Sequence, residues 1–394
     1  KYFKQINTPV RDLGPFQGNM YLAEDRILCF EVLAHKNASW TLKYIKGATA
    51  GTDVPEKLTS LIRQRRRWLN GSLFATIYVI ANFHQFWKAS RHTLAFKCFI
   101  SLLFSFYASS ILLTWLIPAN FYLMFHFAAS TATSDSLVFN FLEYMFFFIT
   151  IVQVVLAMGN KPHQMELMYF MSSIGYGVFF FFTLGLSMKY IFTVSYVGGN
   201  NSIWNTSTLA SIGTVGTYMI SAALHHELMP VLSSIVQYFF MLPTFLISFP
   251  VYSFCNIHDI SWGTKGVEHA TISHKNNRLE REVAEAELDR RRKEQRETES
   301  HFKTFRSYLV IGWVASNCVY GEFVMNLTSQ QALSSYLDAM LIIFFAFNMF
   351  RLIFSTLFIF GRWWSSFKSV FLSTKKRANQ SEADNKDAKD IKGR

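Results

Sequence analysis

Apolar residues dominate the chain beyond residue 94, in runs separated by short polar punctuation. Six stretches approach or exceed the ~18–20 residues a helix needs to cross a bilayer core. They are Leu94–Ile117, Leu137–Met158, Leu167–Phe192, Leu209–Leu224, Tyr308–Leu327 and Tyr336–Phe360. A seventh run, Val231–Cys255, carries Pro243 and Pro250. Each proline removes a helical donor, which is tolerated at membrane depth only where protein or water satisfies the freed backbone. An interfacial or re-entrant helix pair is expected there. Upstream, Leu58–Trp87 reads as a helix, amphipathic at first and lying on the interface.

Residues 1–57 differ in texture, mixing polar and apolar positions with Pro, Gly and Asp. Ile27–His35 is compatible with a short buried helix or a strand. Ser39–Ala48 alternates and reads as a strand. The segment suits the end of a soluble α/β unit and is too short to bury a core of its own. Lys275–Lys303 is polar and helix-forming, with Glu287–Arg291 and Asp289–Lys293 in the favourable i,i+4 order. The tail after Ser373 is charged and reads as disordered. The opening "KYFKQINTP" has the character of the middle of a domain, so a longer parent chain is expected.

Composition agrees with a mainly α, polytopic membrane protein: 51% of the 394 residues are hydrophobic and 41 are Phe. The net charge of +12 is uneven. It collects at Arg63–Arg67, Arg290–Lys293 and Arg362–Arg377, as cytoplasmic loops do. With Arg65–Arg67 inside, counting spans places the Asn200 and Asn205 sequons outside. Lys275–Lys303 falls inside only if Val231–Cys255 makes no simple crossing. Six spans and a cytosolic C-terminus result. No nucleic-acid module accompanies the charge, so nucleic acid is not an expected partner. Cys29, Cys98, Cys255 and Cys318 form no C-x-x-C pair and read as apolar thiols. His225–His226–Glu227 reads as an interface loop, and no metal ligands are assigned.

Three clusters carry candidate chemistry, all on the predicted cytosolic side. In "YLAEDRIL", Glu24 and Asp25 precede Arg26, an arrangement suited to acid–base work with a tuned carboxylate. An ordinary acidic first helical turn would look the same. In "QRRRW", about 100° per residue sets Gln64, Arg67 and Trp68 on one arc, with Arg65 on the side of Leu61 and Leu69. An amide, a guanidinium and an indole suit a sugar phosphate. A positively charged interfacial anchor is the plainer alternative. In "NIHDISWGTKG", Gly263 and Gly266 allow a tight backbone and Trp262 and Lys265 offer stacking and charge; a plain connector loop is the alternative.

Together, in this order, "YLAEDRILCFE", "QRRRWLNGS" and "NIHDISWGTKG" closely resemble the chitin synthases of fungi and oomycetes, over roughly Lys1–Phe360. That family consists of processive, inverting glycosyltransferases akin to cellulose and hyaluronan synthases. The resemblance implies a C-terminal remnant of an α/β GT-A-type glycosyltransferase domain, then about six transmembrane helices plus interfacial helices. The implied parts are a cytosolic domain end (1–57), QRRRW-bearing interfacial helices (58–93), spans with the 231–255 segment (94–256), a cytosolic loop and charged helix (257–307), two last spans (308–361) and a basic tail (362–394). It implies transfer of GlcNAc from UDP-GlcNAc to the 4-hydroxyl of a nascent chitin chain, and passage of the polymer through the plasma membrane.

By the same resemblance Asp25 is the base, supported by Glu24 and Arg26. Arg67, with Arg65 or Arg66, holds the diphosphate. Trp68 stacks on the acceptor sugar with Gln64 beside it, and Trp262 and Lys265 lie at the cytosolic face. Membrane lipids and a second copy in a homodimer are the implied partners. The family also holds Mg²⁺ or Mn²⁺ through Asp residues of an upstream half. This sequence has no Asp-x-Asp, so those ligands are expected upstream. Hyaluronan- or cellulose-type synthases fit "SWGTKG" less well. A non-catalytic transporter predicts more ionisable residues in the spans than Glu143, Lys189, Glu322, Asp338 and Arg351. A scaffold or receptor leaves the EDR and QRRRW clusters unexplained.

Overall fold

The computed structural model describes residues 13–45, 47–132, 136–159, 161–197, 206–260, 278–326 and 330–392. These are mainly helical, and no strand occurs among them. In chain order the helices are α1 (Pro15–Met20), α2 (Glu24–Leu33), α3 (Leu58–Ala89), α4 (Leu94–Trp115), α5 (Ile117–Ala132), α6 (Ser136–Gly159), α7 (Glu166–Val197), α8 (Thr206–Leu224), α9 (Leu228–Pro243), α10 (Phe249–Cys255), α11 (Arg278–Met325) and α12 (Gln330–Lys392). A 3₁₀ turn at Tyr21–Ala23 joins α1 to α2, and a π-helical turn at Thr244–Ser248 joins α9 to α10.

The chain forms two compact units. The first comprises residues 1–190 and 236–327, and its core gathers Met20, Ile27, Ile62, Phe74, Phe125, Tyr176, Phe249 and Ile257. Its helices are tied by side chains that repair breaks in the backbone ladder. The chain bends at Leu116, between α4 and α5, and Pro118 follows one residue into α5. Asn317 of α11 answers on both sides of that bend: its Nδ2 donates to the Trp115 carbonyl at 3.0 Å and its Oδ1 accepts from the Ala119 N–H at 3.2 Å. Trp115 Nε1 donates to Ser316 Oγ at 2.8 Å, and Trp313 Nε1 to the Trp115 carbonyl at 2.9 Å. In hydrocarbon these groups have no solvent to turn to, so helix and partner must satisfy each other. Between α5 and α6, Glu143 accepts from Tyr122 Oη at 2.5 Å and lies 3.0 Å from His126 Nδ1. The second unit comprises residues 191–235 and 328–394. There α8 packs along α12 so closely that a Cβ on Gly213 would overlap the Phe345 ring.

Several expectations change. Ser39–Ala48 is not a strand: its described residues form an exposed, irregular connection. A strand needs a neighbour to complete its ladder, and none is present among the described residues. Ile27–His35 resolves as helix, within α2 for the most part.

Six helices are long and apolar enough to cross a membrane, but the set differs from the expected one. Leu228–Cys255, 28 residues, qualifies, while Leu209–Leu224 is a shorter apolar helix. The prolines do not split 231–255 into a pair. Pro243 is the last residue of α9 and Pro250 the second of α10, and the backbone stays helical through the π turn between them.

Finally, α11 runs unbroken from the polar segment into a span, and α12 continues to Lys392 where disorder was expected. Between Arg362 and Lys392 there is neither Gly nor Pro, so nothing in the sequence stops the helix.

Candidate active site

The first cluster opens α2. Glu24 and Asp25 stand in its first turn, where the helix dipole favours a carboxylate. Glu24 is half-buried, while Asp25 and Arg26 are exposed. The Arg26 N–H donates to Asp25 Oδ1 at 2.8 Å, which satisfies one of the free donors at the helix start. Ile27 and Phe30, on the opposite side, are buried and anchor the helix.

What anchors them is α3. A Cβ built on Gly71 would lie 2.9 Å from the Ala23 nitrogen and 3.0 Å from Ala23 Cβ. Only glycine permits that approach, one turn beyond Trp68 and two residues before Asp25. Farther along, Tyr78 Oη donates to Glu31 Oε1 at 2.6 Å. Burial pushes the Tyr78 phenol well above its ordinary value, and the Glu31 carboxylate raises it further. The two helices are therefore held at both ends of α2, and the acidic turn has a defined place beside the second cluster.

The QRRRW helix is unbroken from Leu58 to Ala89, so Gln64, Arg67 and Trp68 do share an arc. Trp68 is 45% exposed, with its neighbours Gln64 and Arg67 half-buried. The arginines are not equivalent, though the division differs from the helical-wheel expectation. Arg65 was expected to face away from the indole. Its guanidinium carbon instead lies 4.6 Å from the centre of the Trp68 ring, because residues three apart adjoin on a helix and the arginine stem is long enough to reach across. Arg66 turns inward: it is 4% exposed, and its Nη1 lies 2.9 Å from Asp259 Oδ2. Its place opposite a carboxylate sets it apart from a diphosphate ligand.

Asp259 belongs to the third cluster, and the turn that carries it is fixed at several points. Asn19 of α1 donates through Nδ2 to the Ile257 carbonyl at 2.9 Å. Asn256 Nδ2 donates to the Ala157 carbonyl of α6 at 2.8 Å. Asn70 of α3 donates to the Ser253 carbonyl, one turn earlier, at 2.9 Å. Burial lowers the pKa of His258. Arg306 adds to that effect and Asp259 opposes it, with Lys303 and Arg66 contributing less. Trp262 and Lys265 lie outside the described residues.

The described parts of the three clusters thus converge on α3. Sequence reasoning named the clusters but missed the asparagines and the Arg66–Asp259 pair that join them. A signal was present: Asn19 and Asn70 are glycine-adjacent asparagines within helical stretches, where a buried side chain with unmet hydrogen bonds would be costly.

Residues 1–83 match the family model of the chitin synthase-like glycosyltransferase domain. That stretch is similar to the domain of that family. The matched segment contains Glu24, Asp25, Arg26 and the whole of Gln64–Trp68, together with the Gly71 contact that packs them. The third cluster falls outside it. Across the membrane region the likeness continues: the chain is 32% identical over 386 aligned residues, 89% of its length, to Chitin synthase 1 of Phytophthora sojae (strain P6497). The alignment takes in 40% of that relative's own length, so the chain spans well under half of it. Chitin synthase-like glycosyltransferases of this kind are expected to need a divalent cation. Among the described residues no three His, Cys, Asp or Glu side chains converge as a metal-binding group. The described residues of this chain therefore offer no site of their own for such an ion.

Proposed function

We propose that this chain supplies the acceptor side and the membrane passage of a chitin synthase, a multi-pass enzyme of the plasma membrane. It would transfer GlcNAc from UDP-GlcNAc to the 4-hydroxyl of a growing β-1,4-linked chain. The observation that carries the reading is the convergence of the three clusters: Gly71 seats the EDR turn against α3, and Arg66 seats the third cluster on the same helix through Asp259.

In this reading the Asp25 carboxylate takes the proton of the acceptor 4-hydroxyl. The oxygen bonds to the anomeric carbon as the bond from that carbon to the phosphate oxygen breaks. UDP leaves with the electron pair, and the configuration inverts. A carboxylate at an exposed helix start is accessible to such a hydroxyl, and Glu24 and Arg26 set its charge environment. Arg67 meets the negative charge that develops on the diphosphate. The exposed Trp68 indole receives the apolar face of the acceptor pyranose, with Gln64 beside it as a hydrogen-bonding amide. Trp262 and Lys265, outside the described residues, would add stacking and charge at the cytosolic face. The product then passes between the spans, and a homodimer is the proposed assembly.

The test uses the whole parent protein in membranes supplied with UDP-GlcNAc. Asp25→Asn is expected to lower polymer formation by about 10²–10⁴-fold, the usual contribution of a general base, with expression unchanged. Synthesis within a few-fold of wild type would remove Asp25 from the reaction.

A further inference from the structure

The Arg65 guanidinium that lies over Trp68 also lies 5.7 Å from the centre of the Phe245 ring. One cation thus contacts two aromatic rings, one from the interfacial helix α3 and one from the 28-residue span Leu228–Cys255. Both rings remain about half exposed, Trp68 at 45% and Phe245 at 43%.

Phe245 lies within the π turn Thr244–Ser248. Its neighbours Thr244, Ile247 and Ser248 are buried, as is every residue of α10, so the inward face of this stretch is fully packed. Phe245 itself stands on the outward side of this stretch. Single π turns inside α-helices are rare and are frequently found at functional sites. Its edge contact with Phe249, at 5.5 Å between centroids, holds the ring upright. The Arg65 Nε is buried without a hydrogen-bond partner, although the same guanidinium touches both rings. The constellation is therefore two half-exposed aromatic rings with one donor-rich guanidinium in contact with both. Pyranose rings are bound by such sets, their C–H faces on aromatics and their hydroxyls on planar donors.

We propose that Phe245 is a second sugar platform of the acceptor site. It takes the pyranose next to the one on Trp68, and Arg65 is the positioning residue that couples the two. The proposal rests on the acceptor role of Trp68. It adds that the first subsite inside the membrane is built by the π turn. Arg65 then serves the acceptor rather than the donor diphosphate.

The experiment compares wild type, Phe245→Leu, Phe245→Trp, Arg65→Lys and Trp68→Leu in the full-length protein in lipid nanodiscs. It measures KM for UDP-GlcNAc, KM for soluble chito-oligosaccharide acceptors, and product length. Phe245→Leu keeps the apolar volume and removes the flat face. It is expected to raise the acceptor KM by about 3- to 10-fold and shorten the product, with the donor KM unchanged. Phe245→Trp is expected to stay close to wild type, and Arg65→Lys to act on the acceptor side. A normal acceptor KM and product length in Phe245→Leu, with Trp68→Leu impaired, overturns the second platform and leaves the Trp68 reading standing. Normal behaviour of both variants overturns the acceptor reading itself. A rise in donor KM for Arg65→Lys overturns the role given to Arg65. Should Phe245→Leu fail to accumulate, Phe245→Trp and Arg65→Lys decide the matter by the same measurements.

Discussion

Breaking the Arg66–Asp259 pair from its two ends should have unequal consequences. Arg66 is 4% exposed and Asp259 is 44% exposed. Asp259→Ala removes the carboxylate opposite a guanidinium that stays inside the protein. For a fully buried pair that loss costs about 3–5 kcal/mol. Because Asp259 is nearly half open to solvent, the pair is partly screened, and about 1–3 kcal/mol is the better expectation. Arg66→Met removes the buried charge itself and keeps the length of the stem, leaving Asp259 where water can reach it. It should cost less, about 1 kcal/mol or below.

The assay is thermal unfolding of the detergent-solubilised full-length protein. Asp259→Ala is expected to lower the midpoint by several degrees and Arg66→Met by clearly less. The reverse order would refute the reasoning, since it would mean that the guanidinium is favourable in its own right. A second check uses salt. If 0.5 M KCl lowered the wild-type midpoint to that of Asp259→Ala, the pair would be a screened surface contact, not a half-buried one.

Gly71→Ala should destabilise the protein even though alanine is the better helix former by about 1 kcal/mol. The new methyl would meet the Ala23 backbone nitrogen at 2.9 Å, and backbone cannot yield as a side chain does. A net loss of about 1–2 kcal/mol is expected. Polymer synthesis should fall further than stability, because Asp25 is displaced with the turn; a variant as stable and active as wild type would contradict the close approach. Cys29 offers a reporter for the Asp25 charge. Its thiol is raised above the ordinary value, first by burial and then by Asp25. A raised pKa means less thiolate at a given pH, so Asp25→Asn should lower it and speed alkylation of Cys29 at pH 8. Site-resolved mass spectrometry would measure the rate, and an unchanged rate would separate Asp25 from Cys29 electrostatically.

How far the sequence could be read depended on whether a feature was local. The amphipathic start and unbroken length of α3 follow from the spacing of its own residues. Gln64, Arg67 and Trp68 share an arc because helical geometry alone dictates it. The EDR turn was legible for a similar reason, since acidic residues favour a helix start. Ser39–Ala48 failed because alternation states what a strand would look like, while a strand also requires a neighbour. Pro243 and Pro250 misled because their cost depends on where in a helix they fall. One closes α9 and the other opens α10, and the π turn between them cannot be seen in a hydropathy profile.

By itself, then, the sequence determined that this is a mainly helical membrane protein with three chemically suggestive clusters, because apolar run length and helical periodicity act within a few residues. Tertiary structure alone decided how the clusters meet. Asp259 and Arg66 are nearly two hundred positions apart in the chain, Asn19 and Ile257 farther still, and Phe245 reaches Trp68 only through Arg65. Three adjacent arginines look alike in a string of letters. The buried guanidinium of Arg66 faces a carboxylate and the half-buried one of Arg65 stacks on an aromatic ring, and which of them does which is settled only when the helix is packed against its neighbours.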